Sequence, residues 1–293
     1  MLPHDDPATR LEYRELLPGP RLRPYVACYW MLRSPEAMRL RDRTFPDGCQ
    51  ELIFNIGARV LRCDDGRHWS RNPPAELVGQ MTRPYDVLAE SEQLYFGVKF
   101  HPHGFAVFTR EPVDSLRDQS IDLRLLFGPG FDAVHERVAT ARDFGVFVAA
   151  MEAWLGGLLC ERRAQARAFR AVEHVVRALF AHPDGSALDR AIAEAGVGLR
   201  RLQGAFRETT GLSPRQLRGM VRFQSCFGGL QAGVPYAQLA LACGYYDQAH
   251  FNREFRHYAG MSPSQWKRSG APLNRWFLDP SSRAWLCGAG APA

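Results

Sequence analysis

The sequence predicts an α+β protein. Its N-terminal half should be a small antiparallel β-barrel with flanking helices, and its C-terminal half an all-helical region built from one unit used twice. Three observations carry this. Phe206-Arg-Glu-Thr-Thr-Gly-Leu-Ser-Pro-Arg-Gln-Leu217 returns at Phe255-Arg-His-Tyr-Ala-Gly-Met-Ser-Pro-Ser-Gln-Trp266, 49 residues later and without a gap. An internal repeat of this kind marks one structural unit used twice. Short apolar runs punctuated by Gly, Pro and Asp fill the first hundred residues, whereas helix-period patterns fill the rest. The formal net charge of +6 is also unevenly distributed: residues 1–160 carry −3, residues 161–270 carry +8 and the tail from 271 carries +1.

Taken in order, residues 1–20 are Pro-rich and polar, with a short strand expected near Leu11 to Leu16. Tyr25 to Leu32 is aromatic and apolar, and Phe45-Pro-Asp-Gly48 is a turn signal ahead of Gln50 to Ile56. There Leu52, Phe54 and Ile56 alternate with Glu51, Ile53 and Asn55, the period of a strand with one buried face. Val60 to Cys63, Ala75 to Met81, Tyr85 to Ala89 and Leu94 to His101 follow, and in the last of these Leu94, Phe96, Val98 and Phe100 share a face. Several short strands with turn punctuation suggest a small antiparallel barrel or sandwich, a shape that can enclose one small ligand. From about Gly104 helical text takes over, with Phe131 to Arg142 and Phe144 to Leu159 the clearest segments. Their apolar faces are expected to pack on the barrel or to pair with a second copy of the chain. Glu161 to Ala181 reads as one helix with Phe169, Val172, Val176 and Leu179 at core spacing, and Arg162, Arg163 and Arg167 near its start are candidates for phosphate contact.

In the second copy of the repeat, Leu239, Ala240 and Cys243 have helical spacing, and Gly244 suits a left-handed helix end that a Cβ resists. Tyr245 and Tyr246 start a turn, and Asp247 can cap the next helix by accepting a backbone N–H. That helix, about Gln248 to Tyr258, turns Phe251 and Phe255 inward and presents Gln248, Ala249, Asn252, Arg253 and Arg256 outward, with His250 near its start. A short helix, a tight turn and a second helix with a polar, basic outer face form a helix-turn-helix, whose second helix is shaped to enter a major groove. The first copy repeats this with Leu199, Leu202 and Phe206 inward and Arg200, Arg201, Gln203, Gly204 and Arg207 elsewhere on the helix; Gly198 stands where Asp247 stands in the second. Ser213 and Ser262 are expected N-caps with Pro214 and Pro263 in the first helical turn. A long helix from about Pro214 to Ala232 should join the units, and Gly228-Gly229 within it is expected to weaken its rigidity by about 1 kcal/mol per glycine.

From about Ala171 to Arg268 the sequence resembles the paired helix-turn-helix domain of the AraC/XylS family of bacterial transcriptional regulators. The residues that carry the resemblance are Leu239-Ala240, Gly244-Tyr245, Asp247-Gln248-Ala249-His250-Phe251, Arg253, Phe255-Arg256, Gly260-Met261-Ser262-Pro263 and Gln265-Trp266-Lys267. It implies two recognition helices reading successive major grooves on one face of double-stranded DNA. By position the base-reading residues would be Arg200, Gln203 and Gly204 in the first helix and Gln248, Ala249, His250 and Arg253 in the second. Gly204 and Ala249 have no side chain that can hydrogen-bond a base edge, so specificity should lean on the others. With Arg207, Asn252 and Arg256 from the same outward surfaces, Arg200, Gln203, Gln248, His250 and Arg253 complete the candidate DNA-binding set. Arg162, Arg222, Arg256, Lys267 and Arg268 are candidates for phosphate contact, Arg222 alternatively for an internal ion pair. The N-terminal half resembles the cupin-like sensor domains that precede the DNA-binding half in this family, notably at Phe-Pro-Asp-Gly-Cys-Gln-Glu-Leu-Ile-Phe (45–54) and Phe-His-Pro-His-Gly (100–104). The implied division is a sensor at 1–160, a DNA-binding domain at 161–270 and a tail at 271–293. A small-molecule effector, RNA polymerase and a second copy of the chain are the further partners that fit such a regulator.

Composition narrows the alternatives. The basic excess coincides with the repeat, the electrostatic footprint of a polyanion partner. Seven scattered cysteines, with no C-x-x-C pair, fit neither a zinc framework nor a disulfide scaffold and suit a reducing cytoplasm. The acidic start predicts no secretory leader, and the longest apolar run, Phe144 to Cys160, is broken by Glu152 and too short to span a bilayer, so no membrane partner is expected. His101-Pro-His103 invites a metal, but a supporting carboxylate within a few residues is missing and a structural corner is the better reading. Asp47, Cys49 and Glu51 could be a catalytic cluster; turn chemistry for Asp47-Gly48 and an arginine partner for Glu51 are the simpler expectation. No nucleophile elbow, phosphate loop or dinucleotide fingerprint occurs, so neither an enzyme nor a cofactor is expected. The rival class is a ligand-binding or enzymatic cupin whose helical half makes protein contacts. A DNA-repair adaptor is weaker still, because Cys28, Cys49 and Cys63 are too far apart for a zinc-bound cluster. Trp276, Phe277, Trp285 and Leu286 make the tail apolar enough to dock on the body.

Overall fold

The computed structural model describes residues 11–57 and 60–269. Its N-terminal half is an antiparallel sheet of eight strands: β1 (Glu12–Leu16), β2 (Val26–Thr44), β3 (Glu51–Asn55), β4 (Val60–Cys63), β5 (Ser70–Arg71), β6 (Ala75–Val78), β7 (Tyr85–Phe100) and β8 (Ser120–Asp122). The order is β1-β2-β7-β3-β6-β8, with β4 pairing β7 further along and β5 pairing β4. The strand expected at Tyr25 to Leu32 runs on to Thr44, because β7 supplies a partner along its length, from Val26 opposite Phe100 to Thr44 opposite Tyr85. Among the described residues β1 and β8, the two ends of the path, are not paired with each other, so the expected antiparallel β-domain is present as an open sheet.

The period-2 pattern divides the sheet into two uses. Leu52, Phe54, Phe96, Val98 and Phe100 face a core shared with the helices that follow the sheet. Those helices are α1 (Leu123–Phe127), α2 (Asp132–Ala139) and α3 (Phe144–Leu158). Phe147 of α3 stacks on Phe96 at 4.9 Å and meets Phe54 edge-on at 5.4 Å. Full burial of each such ring is worth about 1.5–3 kcal/mol. Glu152, the carboxylate that interrupts the apolar run, accepts hydrogen bonds from Tyr29 Oη (3.0 Å) and Gly19 N (2.8 Å). The opposite face, carrying Trp30, Glu51, Ile53, Tyr95 and Lys99, lines a cavity. Gly97 belongs to that face, and a Cβ there would lie 2.0 Å from the Trp30 indole.

Eight further helices complete the chain: α4 (Glu161–Ala164), α5 (Arg167–Ala181), α6 (Leu188–Glu194), α7 (Leu199–Thr210), α8 (Pro214–Gln231), α9 (Tyr236–Ala242), α10 (Gln248–Ala259) and α11 (Pro263–Ser269). The single helix expected over Glu161 to Ala181 is two, because Ala166 is extended (φ −61°, ψ 133°). The break lets Phe169 join the core of the β half while Val172, Val175, Val176 and Leu179 enter the helical core with Leu202, Phe206, Phe223 and Phe255. Phe45 and Cys49, from the loop between β2 and β3, also belong to the helical core. The Gly228-Gly229 pair does not interrupt α8. Gly229 is instead a contact point, since a Cβ there would come within 2.4 Å of Leu239 Cδ1. No helix among the described residues is long and apolar enough to cross a membrane. The tail aromatics lie outside the described residues.

Candidate nucleic-acid interface

The second unit, α9 to α10, is built as its residues require. Gly244 takes φ +74°, and Asp247 caps α10 by accepting from His250 N at 2.6 Å. Phe251 and Phe255 are fully buried, with ring centroids 5.7 Å apart. Gln248, Ala249, Arg253 and Arg256 are exposed, while His250 and Asn252 are half-buried. His250 is tied into the unit: its Nδ1 receives Tyr246 N at 3.4 Å, and its Nε2 lies 3.6 Å from Glu254 Oε1. Tyr246, for which the sequence suggested nothing beyond a turn, is 87% exposed beside the N-terminus of α10 and extends the outward surface.

Arg222 of α8 takes the ion-pair alternative rather than phosphate contact. Its Nη2 donates to Glu254 Oε2 at 2.6 Å and its Nη1 to Gly244 O at 3.1 Å, with the guanidinium 4.3 Å from the Tyr245 ring centre. One buried arginine thereby joins α8, the turn and the second helix of the second unit.

In the first unit α7 buries Leu202, Ala205 and Phe206, and leaves Arg200, Arg201, Gln203, Gly204 and Arg207 exposed. Gly198 occupies the N-cap with no side-chain bond to offer. The repeated phrase itself is a reversal device. Gly211 and Gly260 end α7 and α10 at φ +72° and +68°. Ser213 Oγ then accepts from Gln216 N while Gln216 Oε1 accepts from Ser213 N (3.3 and 2.9 Å), and Ser262 with Gln265 does the same (3.3 and 2.8 Å). Of the other expected phosphate contacts, Arg163 donates to Thr109 O at 2.6 Å and Arg167 to Gly196 O, so both brace the fold; Arg162, Arg256, Lys267 and Arg268 are exposed.

The β half meets the helical half along α7 and α8. Gln50 Nε2 donates to Thr210 O at 3.4 Å, Arg117 Nη1 to Gly211 O at 3.5 Å, and Gln224 Nε2 of α8 to Pro46 O at 2.7 Å. Phe45 stacks on Phe227 at 5.7 Å and meets Phe223 edge-on at 6.0 Å. Gln224 also lines the cavity of ≈ 140 Å³ on the open face of the sheet. Sequence reasoning missed this cavity's position because its wall mixes five strands, three loops and a distant helix. The partner of Glu51 is Lys99 at 3.0 Å, not an arginine; register places Glu51 directly opposite Lys99. Asp47 accepts from Cys49 N at 2.9 Å, the expected turn chemistry, and its other oxygen also meets Lys99, at 2.5 Å. His101 and His103 form a corner: His101 Nε2 is 3.1 Å from Arg23 O, and burial lowers His101 to a pKa of about 4. Among the described residues no three His, Cys, Asp or Glu side chains are grouped to hold a metal ion.

Residues 192–269 match the family model described as a helix-turn-helix domain, and residues 14–122 match one described as a domain of unknown function (DUF6597). Residues 192–269 are an AraC-type helix-turn-helix domain. The AraC/XylS-type domain makes the chain a DNA-binding transcription regulator. No curated protein is similar to it in sequence. Among solved structures it is similar to ToxT from Vibrio cholerae in a P21 crystal form, with 10% identity and a TM-score of 0.44 over 88% of this chain and 98% of that one. It is similar also to ToxT from Vibrio cholerae O395 bound to (E)-4-(8-methylnaphthalen-1-yl)but-3-enoic acid, with 10% identity and a TM-score of 0.44 over 80% and 99%. In this AraC/XylS-type domain the candidate residues fall on two helices, Arg200, Gln203 and Arg207 on α7 and the remainder on α10.

Proposed function

We propose that this protein reads a specific DNA site through two successive major grooves, α7 entering one and α10 the next, and that a small molecule held by the β half controls the reading. The observation that carries the first part is the pair of like units on one connecting helix, each with its apolar side buried and its polar, basic side exposed. The +8 of residues 161–270 supplies the sequence-independent attraction to phosphate. The second part is supported by Gln224, which belongs to the connecting helix, lines the cavity and bonds to Pro46 O at its rim. In this reading residues 1–160 are the sensor and 161–270 the reader, with Arg200, Gln203, Arg207, Gln248, His250, Asn252, Arg253 and Arg256 facing DNA. His250 is the most constrained of these, because a base contact would compete with its Glu254 and Tyr246 partners.

Selection from a random duplex library followed by footprinting tests the proposal. Two protected major-groove segments about 34 Å apart on one side of the duplex are expected. A single protected groove, or none, refutes the two-headed reading. Arg253→Ala should weaken binding to the selected site by about 1–3 kcal/mol while non-specific affinity stays nearly constant. Equal losses on both DNAs would make Arg253 a phosphate contact.

A further inference from the structure

The cavity wall has a chemistry that narrows what can enter it. Asp47, Glu51 and Glu76 line it against Arg43 and Lys99, so its acids outnumber its cations. Those cations are already engaged. Lys99 Nζ lies 2.5 Å from Asp47 Oδ2 and 3.0 Å from Glu51 Oε1, and Arg43 Nε lies 2.6 Å from Asp86 Oδ1. Arg62, beside the wall, pairs with Asp64 at 2.8 Å and lies 3.8 Å over the Tyr85 ring centre. Glu76, 3% exposed, accepts from Asn72 at 2.6 Å and from Ser120 Oγ. It stands opposite Ile53, two register pairs from Glu51 opposite Val78 with Leu52 opposite Leu77 between them, so both carboxyls rise from the same face of the sheet. Burial pushes both carboxyls above the usual range, the direction that an approaching positive charge would reverse. The remaining wall is largely apolar and aromatic, with Trp30, Phe45, Tyr85 and Tyr95 offering ring surface.

Size is the second constraint. A volume of ≈ 140 Å³ is close to the roughly 150 Å³ that accommodates one benzene molecule. A long acyl chain does not fit this space. A compact anion would fit, but it would meet an acid excess and cations that already have carboxylate partners, and desolvating it there is costly.

We propose that this cavity binds a compact organic cation, an ammonium on a body about the size of one aromatic ring, with its charge on Glu76 and its body against Trp30 and Tyr85. The ammonium corrects the charge imbalance of the wall and gains from the ring faces around it. That the occupant acts as an effector rests on the proposed function; that it is a cation rests on the cavity alone.

Calorimetric titration of the full chain with benzylamine, benzyl alcohol and benzoate tests this, because the three share shape and differ in charge. Benzylamine should bind at least about tenfold more tightly than either of the others. Glu76→Gln should weaken it by about tenfold or more, and Ala89→Phe, which fills the cavity, should abolish it. Benzoate or the alcohol binding as tightly as benzylamine overturns the proposal, as does an affinity indifferent to both variants or the absence of binding by the amine. The series on the unmodified chain decides the ligand class even where a variant fails to fold. Anisotropy of a labelled selected duplex, read with and without benzylamine, separates the two readings. An amine that binds without changing DNA affinity removes the effector role and keeps the site. Intact DNA binding without amine binding removes the site and keeps the regulator.

Discussion

The first repeat unit, α6 to α7, leans on the β half, whereas the second, α9 to α10, is supported mainly by α8 and α11. α7 packs against α5 and against the 3-10 turns Phe105–Val107 and Val113–Leu116, and its C-terminal carbonyls at Thr210 and Gly211 receive side chains of the β half. The turns differ too. The left-handed glycine lies two residues before the N-cap in the first unit (Gly196, Gly198) and three before it in the second (Gly244, Asp247). The added residue makes room for Tyr245 inside, where it meets Arg222, and Tyr246 outside. Two copies of one phrase are therefore held by different means. The first unit is fastened to the β half by apolar packing and hydrogen bonds, the second to α8 by a buried charge. A change at the cavity rim would reach α7 and α8 directly, and α10 both through α8 and at its C-terminal end, where Gly260 lies against Arg43 and Pro84.

The sharpest way to break the comparison is Arg222→Ala. It leaves Glu254 without its closest partner and Gly244 O without its donor. Removing one member of a buried pair costs 3–5 kcal/mol, and Glu254, at 29% side-chain exposure, places this case near about 3. Chemical denaturation should show that loss, and hydrogen exchange should show protection falling over α9 and α10 more than over α7. Equal loss of protection in both reading helices would mean that the units are not separately supported.

A smaller perturbation is Asp247→Ala, which removes the acceptor for His250 N and should cost about 1 kcal/mol in the same denaturation experiment. The first unit has no capping side chain to lose, so Gly198→Ala should cost less than Asp247→Ala, by the few tenths of a kcal/mol that separate a glycine cap from an aspartate one. Comparable effects at the two positions would show that capping is not what distinguishes the units.

Much of this was legible in the sequence for local reasons. The paired reading helices follow from short-range rules: apolar residues at i and i+4, glycine at the left-handed ends, Ser-Pro followed by Gln at the reversals. The alternation at Leu52, Phe54, Phe96 and Val98 told the same kind of story for the sheet. What could not be read was anything set by a partner distant in the chain. Val26–Thr44 is one strand because β7 is there to pair with it. Glu51 faces a lysine because register puts Lys99 opposite. The cavity takes Gln224 from a helix well over a hundred residues beyond the rest of its wall. The break at Ala166 had a faint signal in retrospect: Phe169 and Val172 both read as core, yet they belong to different cores.

The finest test makes the first unit more like the second. Gly198 has φ −61° and ψ 145°, an extended conformation that any residue adopts, and a Cβ there would meet nothing within 4 Å. Gly198→Ser can therefore place a hydroxyl where Asp247 places its carboxylate, without adding a negative charge where phosphate is expected. The gain over glycine is only a few tenths of a kcal/mol, because a glycine N-cap leaves the helix end open to water rather than burying an orphan donor. Stability should rise by that amount, and affinity for the selected duplex should stay level or improve slightly as α7 frays less at Leu199 and Arg200. A loss of DNA affinity with stability preserved would place the hydroxyl against the duplex, and so put the N-terminus of α7 closer to the phosphates than that of α10.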